Sequence, residues 1–560
     1  MNRLRQRLRE PVRALRDVFR NANLRRVELA WAGSIIGQFA YSVALTVYAY
    51  HQGGPGGVAL LVVVRMLPAA VLAPFAAIIA DRGRRERVML ASDLIRAAAV
   101  GGSAALVFGG GPVAAVYVLA ALVSTTSTVF RPAEAALLPS LARSPDELTA
   151  ANLASSTIES VGAFAGPAVA GLILAVASTE VAFVVTTAAF LWSALLVARI
   201  RPERPTTGAA SEVEDDRAPT PILQEAFAGF RTIAVEPKLR VVVGLYAAQT
   251  IVAGALPVLI VVTALRLLDQ GNGGVGYLNS AIGIGGLLGT GAVLALSARR
   301  RLAGDLGLGI VLWGAPLIAI GFRPTPVIAL AMFGVLGLGN TIVDVAARTL
   351  LQRSVADEVL ARVFGVVESL TVAAMALGAV AAPLLISGFG ARTALIVTGA
   401  FLPALAALLW TSLRAIDRDA PVPARRLELL EAIPIFAPLS PATLEHLAHA
   451  LRAVAFPPGA DVVRVGEPGE EFFIVDSGTA EVIVDGTSKP IEAGGYFGEI
   501  ALLRDVPRTA TVRAATELRL YALGRDEFIG AVTGHPPSHD AADTVIGERL
   551  GVLRTGTMPA

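Results

Sequence analysis

The sequence predicts an α-helical membrane protein with twelve transmembrane helices in two six-helix halves, followed by a small soluble α+β domain built on a β-barrel or jelly roll. Three observations carry that reading. Of 560 residues, 54% are hydrophobic and only 16% charged. The apolar residues gather in blocks of about 20, the length a helix needs to cross a hydrocarbon core roughly 30 Å thick. The blocks fall into two sets separated by a polar, Pro-rich stretch, and from about residue 427 the composition becomes that of a globular domain.

Residues 1–26, MNRLRQRLREPVRALRDVFRNANLRR, form a basic amphipathic segment with neither the apolar core nor the cleavage site of a signal peptide. Two roles fit it: its leucines with Val12, Val18 and Phe19 lie on an anionic leaflet, or it is a solvated positive flank. The first half, 27–199, holds apolar spans at 27–50, 57–80, 87–109, 112–138, 148–176 and 179–199. A linker at 200–238, containing RPERPTTGAASEVEDDRAPTP, is too polar to bury a core. The second half, 239–414, holds spans at 239–266, 273–297, 303–322, 325–351, 360–388 and 390–413. A short linker at 415–426 leads to the soluble domain, 427–553.

Gly-rich turns such as QGGPGG and GGGP alternate with arginine-rich ones such as DRGRRER and SARRRL. Positive charge favours the cytosolic side, so both termini are expected in the cytosol and the chain in a cell membrane, plasma or inner, with lipid as its surroundings. The halves share a pattern: LLPSLARSPDEL joins the fourth and fifth spans and LLQRSVADEV the tenth and eleventh. Each copy is preceded by a charged pair at helical spacing, Arg131 with Glu134 and Asp344 with Arg348.

Other chemistries find no support. The chain has no cysteine, so disulfides, thiolate catalysis and zinc–cysteine sites are excluded. A net charge of +2 gives no case for nucleic acid. The five histidines form no metal-spaced or nucleophile-paired cluster, so neither an enzyme nor a metal site is expected, and no cofactor.

The twelve-span plan and the loop AAIIADRGRRERVMLASD resemble the major facilitator superfamily, in which Asp81, Arg82, Arg84 and Arg85 match the cytosolic gate motif. The first glycine of that motif is absent, with Phe75 or Ala76 near its place. In the fifth span GAFAGPAVAG, with Gly162, Gly166, Pro167 and Gly171, is similar to the Gly-Pro motif of the drug and metabolite exporters of that superfamily, which implies efflux. Close helix packing explains the same residues.

Ionisable side chains inside a span are costly and point to function. Glu159 and Glu368 fall near mid-membrane at nearly corresponding places in the two halves. An apolar surrounding favours a neutral carboxyl group, so both are candidate proton carriers, with a permanent bond to Arg65 or Arg96 as the competing role. Arg65 fits either neutralisation of a substrate anion or a buried pair with one of those glutamates. Asp93 with Arg96, and Arg131 with Glu134, read as gate or packing pairs. Gln38, Tyr41, Gln249 and Asn279 line a cavity or bridge helices.

In the soluble part, LELLEAIPIFAPLSPATLEHLAHAL has helical periodicity, and PPGADVVRVGEPGEEFFIVDSGTAEVIVDG has short alternating strands. AGGYFGEIALLRDVPRTATVRA resembles the phosphate-binding cassette of cyclic-nucleotide-binding domains over its whole length. The resemblance implies that Phe497 and Gly498 lead into a turn where the amides of Ile500 and Ala501 meet the cyclic phosphate. It further implies that Glu499 takes the ribose 2′-hydroxyl, that Arg508 neutralises the phosphate, and that Thr509 and Ala510 follow, Thr509 offering a hydroxyl to phosphate or guanine. Residues 525–553 resemble the hinge and lid helices, with Phe528, Val545, Ile546 and Leu550 covering the barrel.

Together these imply a secondary active, proton-coupled exporter of a small or amphipathic molecule, regulated by cytosolic cyclic AMP or, second, cyclic GMP. A membrane-anchored nucleotide receptor and a lipid translocator are the alternatives.

Overall fold

The computed structural model describes residues 19–547 apart from 83, 201–229, 298–301, 356, 420–423, 440, 485–486, 534–537, 539–540, 543 and 546. Its described residues fall into two compact units, one within Met1–Leu350 and Ala361–Ala415, the other within Leu351–Leu360 and Ile416–Ala560.

The first unit is helical. Its first half contains α1 (Ala22–Arg82), α2 (Arg85–Phe108), α3 (Val113–Leu141), α4 (Pro145–Val176) and α5 (Thr179–Val197). The second contains α6 (Pro237–Val262), α7 (Gly271–Ser297), α8 (Leu302–Phe322), α9 (Pro326–Ser354) and α10 (Asp357–Leu408), followed by α11 (Trp410–Asp419). Among the described residues, nine helices are long and apolar enough to cross a membrane. Two of them are bent into two arms, α1 at Gly53–Gly54 and α10 at Gly390. Gly54 (φ 57°) and Gly390 (φ 81°) adopt the left-handed region that an L side chain resists, which is why the chain reverses there.

Local signals set the helix ends. The Ser144 hydroxyl accepts from the Glu147 amide at 3.2 Å, and the Glu147 carboxylate accepts from the Arg143 amide at 2.6 Å, a reciprocal cap that starts α4. Small residues then set packing distance. A Cβ on Gly166 would sit 2.6 Å from Phe39 Cβ on α1, and one on Gly171 would sit 3.0 Å from the Gly273 carbonyl oxygen on α7. The Gly-Pro segment of α4 is therefore a seam along which α4 approaches both neighbours.

The soluble unit opens with α12 (Ala424–Glu431) and α13 (Pro441–Ala450), then β1 (Arg452–Phe456), β2 (Asp461–Val463), β3 (Glu471–Ser477), β4 (Ala480–Val484), β5 (Thr487–Ile491) and β6 (Tyr496–Phe497). It closes with α14 (Glu499–Arg504), β7 (Thr511–Ala514), β8 (Leu518–Gly524) and α15 (Arg525–Thr533). The strands form two four-stranded sheets, ordered β1-β8-β3-β6 and β2-β7-β4-β5, and all their pairings are antiparallel.

Strand β3, EFFIVDS, shows how the domain closes. Alternate residues face opposite sides. Phe473 and Val475 point into the core between the sheets with Val512, Leu518 and Leu520, whereas Phe472 and Ile474 pack under the helices with Leu430, Phe436 and Leu447. Both faces are covered, so the run is apolar without alternation. Phe472 stacks on Phe528 of α15 at 4.8 Å between ring centroids, and Phe436 meets both edge-on, contacts of about 0.5–1.5 kcal/mol each beyond burial. At the far edge, β5 is largely exposed and carries Lys489 and Pro490, residues that discourage further strand pairing.

Candidate functional site: a phosphate-binding cassette and buried arginines

The cassette is assembled from the sheet outward. Strand β6 pairs with β3, bringing Phe497 opposite Phe473, and their rings stack at 5.2 Å. Gly498 then turns the chain with φ 99° and caps α14. A Cβ there would lie 2.7 Å from Arg508 Nη1 and 2.9 Å from the Glu471 carbonyl oxygen, so conformation and space both require glycine. Glu499 is 1% exposed. Ala501 is buried, Ile500 and Ala510 are half-buried, and Thr509 is exposed.

Arg508 lies 6% exposed against this turn. Its Nη2 donates to the Glu471 carbonyl oxygen at 2.7 Å and its Nη1 to the Gly498 carbonyl oxygen at 3.3 Å, with the guanidinium 5.9 Å from the Phe473 ring centre. Its own amide donates to the Glu467 carbonyl oxygen at 2.8 Å and its carbonyl accepts from Gly466, pinning the backbone to the 466–467 turn. Burial pulls the guanidinium below its ordinary pKa, against the opposing pull of the Glu471, Glu499 and Glu467 carboxylates. A cation held by backbone carbonyls, with no carboxylate ion pair among the described residues, is placed to receive an anion. On the hinge side, Phe528 and Val545 pack on the outer core. Ile546 and Leu550 lie outside the described residues.

In the membrane unit the expected intrahelical pairs form: Arg131 Nη1 to Glu134 at 3.0 Å, Arg348 Nε to Asp344 at 2.9 Å, and Arg96 to Asp93, the last fully buried. Glu159 lies 2.9 Å from Arg131 Nη2, an arginine on another helix from Arg65 and Arg96. Glu368 is exposed and Gln38 half-buried. Arg65 binds hydroxyls rather than a glutamate: Nε donates to Ser124 Oγ at 2.9 Å and Nη1 to Ser42 Oγ at 3.1 Å. Of the gate motif, Arg84 pairs with Glu86 at 2.8 Å and Arg85 donates to the Ala136 carbonyl oxygen at 2.6 Å. The side chains of Asp81 and Arg82 lie outside the described residues. The Gln249 amide reaches Asn340 Oδ1 at 3.4 Å, and the Asn279 amide turns back to the Val275 carbonyl oxygen.

The sequence reading missed Glu28. It is fully buried on α1, and its carboxyl oxygens lie 2.9 and 3.1 Å from Ser155 Oγ, which also lies 2.8 Å from buried Glu134. The signal was an acidic residue two positions after Arg26, just inside the span at 27–50, and it was not singled out there.

Fold and cassette together define a polytopic helical membrane protein that carries a nucleotide-type β-roll. Residues 29–304 match the Major Facilitator Superfamily and residues 453–535 match the Cyclic nucleotide-binding domain, so the chain contains both domains and is a multi-pass membrane protein. Over 142 residues it is 39% identical to a cAMP-dependent protein kinase regulatory subunit of Emericella nidulans, covering 24% of this chain and 34% of that one. Over 106 residues it is 42% identical to a cyclic nucleotide-gated potassium channel of Mesorhizobium japonicum, covering 19% and 29%. The chain thus spans about a third of these relatives' length. A solved structure described as Sp-2Cl-cAMPS bound to PKAR CBD2 is 26% identical over 24% of this chain and 95% of that one, with a TM-score of 0.22.

Proposed function

We propose that the protein is a secondary transporter whose cycle is biased by a cyclic nucleotide bound at Phe497, Gly498, Glu499, Ile500, Ala501, Arg508, Thr509 and Ala510. Cyclic AMP is the first choice of ligand and cyclic GMP the second. The observation that carries the reading is Arg508: a buried guanidinium fixed by two backbone carbonyls beside buried Glu499, in a segment matching a nucleotide-binding domain. The relatives named above as cAMP-dependent or cyclic nucleotide-gated support the choice of ligand.

The transport half of the proposal rests on the superfamily match. It has twelve crossings, counting each arm of α1 and α10 and including α7, and both termini in the cytosol of a cell-membrane protein. The cargo moves outward, driven by protons. Glu159 is tied to Arg131, whereas Glu368 forms no ion pair among the described residues and is the freer proton carrier. The domain limits follow the sequence: halves at 27–199 and 239–414, linkers at 200–238 and 415–426, nucleotide domain at 427–553.

Calorimetric titration of the purified full-length protein with cyclic AMP and cyclic GMP tests the ligand. Saturable binding that disappears in an Arg508→Ala variant still unfolding cooperatively is the expected result. Unchanged affinity in that variant removes the site assignment.

A further inference from the structure

The two arms of α1 and helix α3 bring Ser42, Arg65 and Ser124 to one level. Each lies about eleven or twelve residues from the bundle end that carries the Gly53–Gly54 bend and the start of α3, so about 17 Å into the bundle at the helical rise. Both serines accept from the guanidinium. A hydroxyl that accepts still has its own proton to give, and among the described residues neither serine hydroxyl donates to a protein acceptor. The Tyr41 hydroxyl is fully buried, has Ser103 as its nearest hydrogen-bonding side chain, and interacts electrostatically with Arg65.

Three other arginines of the helical unit differ: Arg96 has Asp93, Arg131 has Glu134 and Glu159, and Arg348 has Asp344, whereas Arg65 has no carboxylate partner among the described residues. Two of its five N–H groups are engaged by the serines and three are left, beside two serine protons and a phenol. That is a donor-rich surface with one positive charge, its planar guanidinium fixed by serines on two helices, and it matches the oxygens of a carboxylate, phosphate or sulfonate. The surrounding helices are apolar, so the remainder of such a ligand is apolar too.

We infer that Arg65, Ser42, Ser124 and Tyr41 form an oxyanion site for an amphipathic anion inside the first helical half. The site deepens the transporter reading by naming its substrate class, and it rests on that reading. The same chemistry is offered by a free amphiphile and by a phospholipid phosphate.

Binding of tritiated laurate to full-length protein in a neutral maltoside detergent tests it. The expected result is saturable binding, displaced by dodecyl phosphate but not by dodecanol, weakened about tenfold or more by Arg65→Gln and less by Arg65→Lys. If Arg65→Gln does not fold, the Ser42→Ala/Ser124→Ala pair, which keeps the charge, decides the matter with an expected loss of about threefold or more. Native mass spectrometry from phosphatidylglycerol nanodiscs separates the sources. A phospholipid retained by the wild type and lost from Arg65→Gln assigns the site to lipid, and laurate binding without such retention assigns it to a free amphiphile. Equal displacement by dodecanol, or wild-type affinity in Arg65→Gln and in the double serine variant, overturns the proposal. Cyclic nucleotide binding is read on the same samples; its persistence leaves the regulated-transporter reading standing when the anion site fails.

Discussion

Arg96 in the membrane unit and Arg508 in the soluble domain are both buried guanidiniums, and they are built in opposite ways. Arg96 is closed by its own protein: the Asp93 carboxylate binds it and also accepts from Ser193 Oγ at 2.6 Å, and the Phe130 and Phe190 rings lie 4.7 and 4.6 Å from its centre. Among the described residues Arg508 hydrogen-bonds to carbonyl oxygens and forms no carboxylate ion pair, so its position is fixed while its charge is not paired off. The first arrangement satisfies a charge so that helices can pack; the second leaves one unpaired, as the proposed nucleotide site requires. Burial alone therefore says little about a charged residue's task, and its counter-charge says more.

The largest expected effect comes from opening the closed arginine. Asp93→Ala leaves Arg96 buried and unpaired and costs about 3–5 kcal/mol, read as loss of thermal stability in detergent. An Asp93→Leu/Arg96→Met double variant, with both charges gone, recovers most of that loss. Recovery by the double variant marks the pair as structural, and its failure to recover would assign the pair a further task.

Removing the open arginine has the reverse profile. Arg508→Ala weakens cyclic nucleotide binding by about 100-fold or more, ~3 kcal/mol at least, so that no saturable calorimetric signal remains, with a smaller change in melting. Gly498→Ala tests how the open arginine is held, because the new Cβ strains a left-handed residue and pushes on Arg508. A stability loss of about 1–3 kcal/mol and weaker nucleotide binding are expected, by thermal melting and calorimetry.

The smallest effect lies at the surface of the β-roll. Asp461 accepts from Arg513 Nε at 2.7 Å and Arg464 Nε at 3.1 Å, and these bonds hold its carboxyl below the usual value. A depressed carboxyl stabilises the fold above its unfolded pKa and loses that contribution as pH falls below about 4. Asp461→Asn should therefore lower the melting temperature by ~1–2 °C at neutral pH and leave a flatter acid dependence, as expected of an exposed pair.

The same contrast explains what was legible in the sequence. The cassette could be read because its contributors lie close along the chain, from Phe497 to Ala510, and the turn needs Gly498 wherever it occurs. Arg131–Glu134, Asp93–Arg96 and Asp344–Arg348 could be read because three- and four-residue spacing fixes neighbours on one helix. Pairings between helices could not: Arg131 with Glu159, Ser155 with Glu28 and Glu134, and Arg65 with Ser42 and Ser124 depend on how helices rotate against each other. Glu159 and Arg65 were recognised as residues of interest, but their partners required the fold. In α4 the Gly-Pro motif supported export by resemblance, and its glycines serve the seams with α1 and α7.

All four tryptophans, Trp31, Trp192, Trp313 and Trp410, lie in the membrane unit, and residues 427–553 contain none. Tryptophan emission therefore reports on the helices while the nucleotide binds the β-roll. Titrating full-length protein with cyclic AMP should change that emission saturably, with the midpoint of calorimetric binding and no response in Arg508→Ala. Saturating calorimetric binding with unchanged tryptophan emission would contradict a transporter biased by cyclic nucleotide.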